Sequence, residues 1–194
     1  MSQPTFRQMS RQLEFVWERP SVPMDFRAWR PISSATWSRC RDFSDTLDSK
    51  KKSYGSSKYW NSDAHFIGTI AESLVGALIG SHPNLDIHPE GDGGHDFKGT
   101  DVKASTFIDD PHLKVSPWEF KGNHFVLVVV DPERKRARVA GWADEEMVRG
   151  GKKRDYGRGD RYVLTEKELR PGLPSRLTEM FGMRADADPA IKLS

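Results

Sequence analysis

The chain has 194 residues, of which 36% are hydrophobic and 30% are charged, and its formal net charge is +2. This size suits one domain with an extension better than two full domains, and the composition excludes a chain that is disordered throughout. The single cysteine, Cys40, excludes an intrachain disulfide framework and a cysteine-rich zinc site.

Residues 1–61 are predicted to be an N-terminal extension with little regular structure. Four prolines, at positions 4, 20, 23 and 31, interrupt it and leave only short helical pieces such as 7–18. Residues 48–58 have the composition of a flexible loop. Four tryptophans indicate that this extension packs against the core, a substrate or a second copy of the chain. They are Trp17, Trp29, Trp37 and Trp60.

Residues 62–80 carry the pattern of an amphipathic helix that begins at a cap, Ser62 or Asp63. Glu72 stands at the margin of its apolar stripe, four residues from a glycine on either side. Those glycines would leave space around the carboxylate, but close packing of another element against them is the simpler interpretation of this feature alone. The stripe itself consists of Ile67, Ile70, Ala71, Leu74 and Leu78.

The next segment, GDGGHDFKGTDVKAST (residues 91–106), concentrates charged residues among glycines. We predict a hairpin with Gly99-Thr100 as its two-residue turn. In this register Phe97 lies opposite Val102 on one face. The other face carries Asp96 opposite Lys103, and Lys98 opposite Asp101. Cross-strand ion pairs on a solvated surface would account for these charges.

The rest of the chain alternates strands with short connections. Residues 123–131 (NHFVLVVVD) form an almost continuous apolar run, which predicts a strand buried on both faces. Residues 136–143 are predicted to be its antiparallel partner, and residues 150–161 a basic, glycine-rich loop. A strand then leads into a helix, for which Thr165 and Glu168 form a capping box.

The carboxylates of the predicted hairpin suit a hard divalent cation. Two carboxylates can bind Mg²⁺ or Mn²⁺ and leave positions for water and a substrate phosphate. Such a metal lowers the pKa of its bound water. A lysine two residues after the second carboxylate can orient or deprotonate the attacking water and can stabilise charge that develops on phosphorus. Phosphodiester hydrolysis requires these components.

A family resemblance supports the same chemistry. Glu72 on a helix, then Asp96, and then Asp101-Val102-Lys103 on a strand resemble the signature of the PD-(D/E)XK nuclease superfamily. The match covers about residues 62–145 and is nearest to compact bacterial and phage members. The resemblance implies an α/β fold with a restriction-endonuclease-like core, in which a central mixed β-sheet is flanked by helices.

The resemblance also implies roles for individual residues. Asp96, Asp101 and the backbone carbonyl of Val102 would bind the metal, and Lys103 would be the catalytic lysine. Glu72 would complete or tune the metal site. The implied cofactor is Mg²⁺, with Mn²⁺ able to substitute. The implied activity is hydrolysis of nucleic-acid phosphodiesters, most of all in DNA, by the catalytic set Glu72, Asp96, Asp101 and Lys103.

The charge distribution indicates how a nucleic acid would bind. Residues 61–131 contain 4 basic and 11 acidic side chains, whereas residues 1–60 contain 11 and 6, and residues 132–194 contain 15 and 11. A polyanion could bind to the basic flanks, although ordinary solvated charge explains the pattern equally well. The candidate phosphate contacts are Lys98, Lys152, Lys153, Arg154 and Arg158.

These observations predict three segments: an extension over 1–61, a nuclease-like core over 62–183 and a loose tail over 184–194. The longest apolar runs are far too short to cross a bilayer, and no secretory signal is evident at the N-terminus, so we expect a cytoplasmic protein of a bacterial cell or infected host, without a membrane partner. One alternative is an inactive nuclease fold that serves in DNA binding or assembly. A third interpretation is an acidic-centred protein–protein adaptor, with residues 1–61 as its contact surface or as a homodimer interface.

Overall fold

The structure, a computed structural model, describes residues 25–53, 62–81, 96–97, 99–157 and 159–180, apart from the side chains of 50–53, 62 and 180. The helices in these residues are α1 (Ser34–Ser53), α2 (Ser62–Ile79), α3 (Glu145–Gly150) and α4 (Ser175–Met180), with 3-10 helices at Pro117–Glu119 and Glu166–Glu168. The strands are β1 (Arg30–Pro31), β2 (Thr100–Ser105), β3 (His112–Val115), β4 (His124–Asp131), β5 (Arg136–Asp144), β6 (Lys152–Asp155) and β7 (Asp160–Thr165).

The strands form two sheets. The central sheet has the order β1-β5-β4-β2, and the second sheet has the order β3-β7-β6. In the central sheet β2 is parallel to β4, whereas β5 is antiparallel to both β4 and β1. The prediction of an α/β fold with a mixed central sheet and helices is therefore confirmed.

Strand β4 is buried on both faces, as its sequence predicts. Its alternate residues Val126, Val128 and Val130 pack into a core cluster with the helices α1 and α2. The residues between them point the other way and pack against the second sheet: Phe125, Leu127 and Val129. The fold consequently has three layers, with α1 and α2 on one side of the central sheet and the second sheet, with α3, on the other.

Helix α2 confirms the predicted helix over residues 62–80. Ile70, Ala71 and Leu74 of the predicted stripe are fully buried, Leu78 is 7% exposed, and Ile67 packs at the margin of the same cluster. Within the part of the chain that the structure describes, no helix combines the length and the apolar composition needed to cross a bilayer.

Helix α1 corrects the prediction of an irregular N-terminal segment. It is 20 residues long, includes residues 48–53 of the predicted loop, and packs against α2. Its start is capped by Ser33, whose hydroxyl accepts a hydrogen bond from the Thr36 amide at 3.1 Å. The sequence shows no apolar stripe for this helix, because, among its described residues, three of the four buried positions are polar, Thr36, Ser44 and Asp48, and the fourth is Cys40.

The tryptophans of this segment behave as predicted where the structure describes them. Trp37 packs against the helix-side cluster and meets Phe66 edge to face, with the ring centroids 4.8 Å apart. Trp29 packs against the cluster on the opposite side of the sheet. Trp17, Trp60, the predicted helix over 7–18 and the predicted tail over 184–194 lie outside the described residues.

The predicted loop over residues 150–161 is instead a hairpin, because β6 pairs with β7 from Lys152–Val163 to Asp155–Asp160. Strand β7 confirms the strand predicted after this loop. Strand β6 was not predicted, because all four of its residues are exposed and no apolar alternation marks it. The predicted capping contact beyond β7 is confirmed, although the helix is only a 3-10 turn. The Glu168 carboxylate accepts hydrogen bonds from the amide and hydroxyl of Thr165 at 2.7 and 2.8 Å.

A β-bulge in β5 depends on Gly141. The β4–β5 register shifts between Leu127, which pairs with Gly141, and Val128, which pairs with Val139. Gly141 has a φ of 155°, and a Cβ atom there would lie 2.5 Å from the carbonyl oxygen of Arg170. The missing side chain therefore lets the backbone of residue 170 pair with β5 through Trp142.

We predict that Gly141→Ala destabilises the protein by about 1–3 kcal/mol, because the methyl group strains the backbone and overpacks the site. The measurement is the free energy of unfolding in urea. Gly150→Ala is the matched control, since its added methyl group meets no atom within 4 Å apart from its chain neighbours and the backbone of its own helix. Equal stability of the two variants would contradict the role assigned to Gly141.

Candidate functional site

The turn before β2 lies one residue earlier than predicted. Phe97 and Thr100 exchange backbone hydrogen bonds of 3.1 and 2.8 Å, so the turn lies between them, and Thr100 belongs to β2 instead of to the predicted Gly99-Thr100 turn. Gly99 has a φ of 70°, and glycine supplies this conformation without steric cost at the second position of the turn. The predicted pairs of Phe97 with Val102 and of Asp96 with Lys103 are therefore not formed, and Lys98 lies outside the described residues.

The first acidic residue reaches the D-x-K segment through a side-chain contact. Asp96 is only 8% exposed, and its Oδ2 atom accepts a hydrogen bond from the Val102 amide at 2.6 Å. The Val102 side chain packs into the helix-side core, to which Phe97 also belongs. The contact joins the first carboxylate to the residue that separates Asp101 from Lys103.

Strand β2 directs the second acidic residue and the lysine to the same side of the sheet. Because Val102 faces the helices, strand alternation turns Asp101 and Lys103 toward the opposite face. There the Lys103 ammonium lies 2.7 Å from Oδ2 of Asp101, whose side chain is 9% exposed. The structure thus brings together Asp101 and Lys103 of the predicted site.

A third residue, which the sequence analysis did not identify, completes this cluster. Glu119 is at the end of the 3-10 helix that follows β3, and its Oε1 atom lies 2.6 Å from Nζ of Lys103. The other oxygen, Oε2, accepts a hydrogen bond from the Ser116 amide at 2.5 Å. Ser116 and Glu119 have the S-x-x-E spacing of a capping box, which is the local signal that marks Glu119 in the sequence.

The two carboxylates control the protonation of Lys103. Burial alone would lower the pKa of this lysine, because it disfavours the charged amine. The negative charges of Asp101 and Glu119, and their hydrogen bonds to the ammonium, outweigh burial and raise the pKa of Lys103 well above its ordinary value. The lysine is therefore an ammonium group over the whole physiological range of pH.

Glu72 lies on α2, which packs against β2. Its carboxylate is half-buried, and its Oε1 atom is 3.9 Å from the position that a Cβ atom would take at Gly68. Burial raises the pKa of the Cys40 thiol, on α1, to about 11. A hydrogen bond with Ser73 opposes this rise, and the negative charge of Glu72 adds to it. Glu72 is therefore near the α1–α2 interface.

Asp96 and Asp101 carry carboxylate oxygens, the ligands that a hard divalent cation prefers. Mg²⁺ is commonly bound by one or two carboxylates, with water and substrate phosphate in the remaining positions, and both of these side chains are buried. Among the residues that the structure describes, no group of three acidic, histidine or cysteine side chains is arranged to hold a metal. Glu72 accordingly does not join Asp96 and Asp101 in such a group.

The predicted phosphate contacts are divided between the two faces of the β6–β7 hairpin. Lys152 and Arg154 are exposed on one face, and alternation places Lys153 on the other. Lys153 lies 2.5 Å from Asp160, which raises its pKa through a hydrogen bond and through charge. Arg158 lies outside the described residues.

Comparison with known proteins identifies no relative: no protein-family model, curated protein or solved structure matches this chain.

We predict that Lys103→Met destabilises the protein by about 1–3 kcal/mol, because Asp101 and Glu119 lose the charged hydrogen bonds that they make. The measurement is again urea unfolding. Adding Glu119→Gln should restore part of the loss, since one of the two facing negative charges is then removed. Lys167→Met, at an exposed lysine, is the matched control. If both single variants are equally stable, the Lys103 cluster does not contribute to stability.

Proposed function

We propose that this protein is a metal-dependent nuclease that hydrolyses phosphodiester bonds, in DNA above all, with the chemistry of the PD-(D/E)XK superfamily. One observation carries the proposal. The D-x-K lysine lies 2.7 Å from Asp101, and the first acidic residue, Asp96, is bonded to the amide of the residue between them. Two buried carboxylates and an ammonium thus lie within a few residues of one strand.

The surrounding fold supports a restriction-endonuclease-like core. Helix α2 precedes β2 and packs against it, and β2 runs parallel to β4, whose other neighbour, β5, is antiparallel. A mixed central sheet with helices against one of its faces agrees with the fold that the sequence resemblance implies, although the second sheet covers its other face.

In this proposal Asp96, Asp101 and the backbone carbonyl of Val102 hold Mg²⁺, for which Mn²⁺ can substitute. Glu72, on α2, does not join Asp96 and Asp101 as a ligand, so its part in this proposal is limited to tuning the metal site through its charge. When bound, the metal would supply a bound water of lowered pKa and offset the charge of the substrate phosphate.

Lys103 acts as a cation in this proposal. Its ammonium is held by Asp101 and Glu119 at 2.7 and 2.6 Å, so it can donate hydrogen bonds to the phosphate that is attacked. A donor aimed in advance at the position where negative charge develops stabilises the transition state without reorganisation. Orientation of the water and stabilisation of charge, rather than removal of a proton, follow from this arrangement.

A DNA-binding or assembly protein on the same fold is the second candidate. The observation that favours it is the cluster of Lys103 with Asp101 and Glu119, because both ion pairs would also serve a purely structural role. The two functions differ in their need for metal: a binding protein holds DNA equally well in EDTA and leaves the DNA intact.

The first prediction of this function concerns cleavage. Purified protein should cut at least one of supercoiled plasmid, linear duplex and single-stranded DNA with Mg²⁺ or Mn²⁺, and none of them in EDTA. Lys103→Ala and Asp101→Asn should each lower the rate by about 100-fold or more, the effect of removing one charge-stabilising group from an active site. The measurement is the cleavage rate on gels.

Lys167→Ala is the control for this experiment, because it removes an exposed lysine outside the cluster. Circular dichroism should show that all variants are folded. Intact DNA under every condition, together with binding that persists in EDTA, would exclude the nuclease and favour the second candidate.

The second prediction concerns Glu119 as a positioning residue for Lys103. Glu119→Gln can keep the hydrogen bond from the Ser116 amide, but it replaces a negative partner of Lys103 with a neutral one. We expect kcat to fall by about 10- to 100-fold, the cost of misplacing a reacting group, while KM changes little.

Glu168→Gln is the matched control, because Glu168 makes the same type of capping contact, with Thr165, whereas the ion pairs of Lys103 go to Asp101 and Glu119. A purely structural role for Glu119 predicts equal activity of the two variants. A rise in KM with unchanged kcat would also contradict positioning of Lys103.

A further inference from the structure

The outer face of the second sheet is cationic. Residues directly opposite one another in antiparallel strands share a face, so the register places Lys114 and Lys152 in one row, on either side of Val163. Two residues further along the same face, Arg154 lies opposite Arg161. The opposite face packs into the core through Leu113, Val115 and Leu164.

Two exposed aromatic rings border this face. The Lys114 ammonium lies 4.6 Å from the ring centroid of Tyr156 and 5.6 Å from that of Phe107. Phe107 is 67% exposed and Tyr156 is 43% exposed, and both are among the few large hydrophobic side chains exposed in the described part of the chain. One lysine thus joins two solvent-facing rings at the edge of a cationic surface.

Because this face is positively charged, we expect its ligand to be a polyanion. Acidic groups border the face: Asp110 lies 3.6 Å from His112, Glu168 is within electrostatic range of Lys152, and Asp155 and Asp160 are exposed beside the Arg154–Arg161 pair. The rows of the face itself carry positive charge beside the rings. An acidic peptide would satisfy the lysines and arginines, but its acidic side chains carry no ring to stack on Phe107 and Tyr156, whereas every nucleic-acid base has a face that stacks on an aromatic ring.

We propose that this surface, formed by Phe107, Lys114, Lys152, Arg154, Tyr156 and Arg161, binds single-stranded DNA. The cations contact phosphates, and the two rings stack on unpaired bases. Paired bases in a duplex are already stacked on one another and cannot lie on the rings. The inference builds on the proposed function by naming its substrate as DNA with a single-stranded segment, but the binding requires neither metal nor catalysis.

The test is fluorescence anisotropy in EDTA with a labelled oligo(dT) of about 16 nucleotides, near the upper site size of such surfaces. The Phe107→Ala/Tyr156→Ala double variant should weaken binding by about tenfold or more, the effect of losing stacked bases. Tyr156→Phe, which keeps the ring, should bind as the unaltered protein does. A duplex of equal length should bind more weakly and be insensitive to the double variant.

The contribution of charge is measured through salt. Lys152→Ala/Arg154→Ala should reduce the slope of log K against log salt concentration by about 0.7 for each phosphate contact that is lost. Lys167→Ala should leave the slope unchanged. The inference is overturned if the aromatic double variant binds oligo(dT) with full affinity, if the unaltered protein does not bind oligo(dT), or if poly-glutamate displaces it at equal charge concentration.

The two proposals fail separately. Metal-dependent cleavage combined with binding that does not depend on the rings would overturn this inference and leave the nuclease intact. Ring-dependent binding of oligo(dT) in EDTA, without cleavage of any DNA in Mg²⁺ or Mn²⁺, would support this inference and overturn the nuclease.

Discussion

Burial of β4 on both faces is the constraint on which the rest of the structure depends. One face requires the helices α1 and α2, and the other requires the second sheet. Because β2 lies beside β4 in parallel, its residues face the same two layers. Val102 enters the helix-side core, so Asp101 and Lys103 must face the other way. A slip of one residue would bury both charges among the helices, and the hydrophobic pattern therefore also determines where the charged cluster lies.

The charge balance of that cluster distinguishes it from an ordinary salt bridge. Lys103 is shared by Asp101 and Glu119, and the carboxylate of Asp96 is bonded to the neighbouring amide. Three carboxylates therefore accompany one ammonium group around a single strand. Charges within a half-buried site are costly to desolvate unless cations or hydrogen-bond donors offset them. In the proposed function a bound divalent ion, the largest local charge of such a site, would be one of these partners.

The sequence was most informative where burial follows a simple period. Residues 123–131 are apolar throughout, and residues 62–80 repeat their apolar side chains at helical spacing, so both elements were predicted correctly. Helix α1 was not, because its buried positions are small or polar. The predicted turn before β2 lies one residue too far along the chain. The sequence is compatible with Gly99 at the first or at the second position of a two-residue turn. In the sequence only the capping-box spacing marks Glu119. Its contact with Lys103 joins residues 16 positions apart in the chain, which local patterns do not reveal.

The segment from β3 to the following 3-10 helix connects the candidate catalytic cluster with the cationic face. Lys114 is on the outer face of β3, and Glu119, five residues later, holds Lys103 from the inner side. Five residues span at most about 18 Å even when fully extended. A single strand that occupies a surface of about 4–16 nucleotides is long enough to cover that distance. Pairing of β3 with β7 fixes the segment, so DNA stacked beside Lys114 and a phosphate near Lys103 can belong to one substrate without a change of fold.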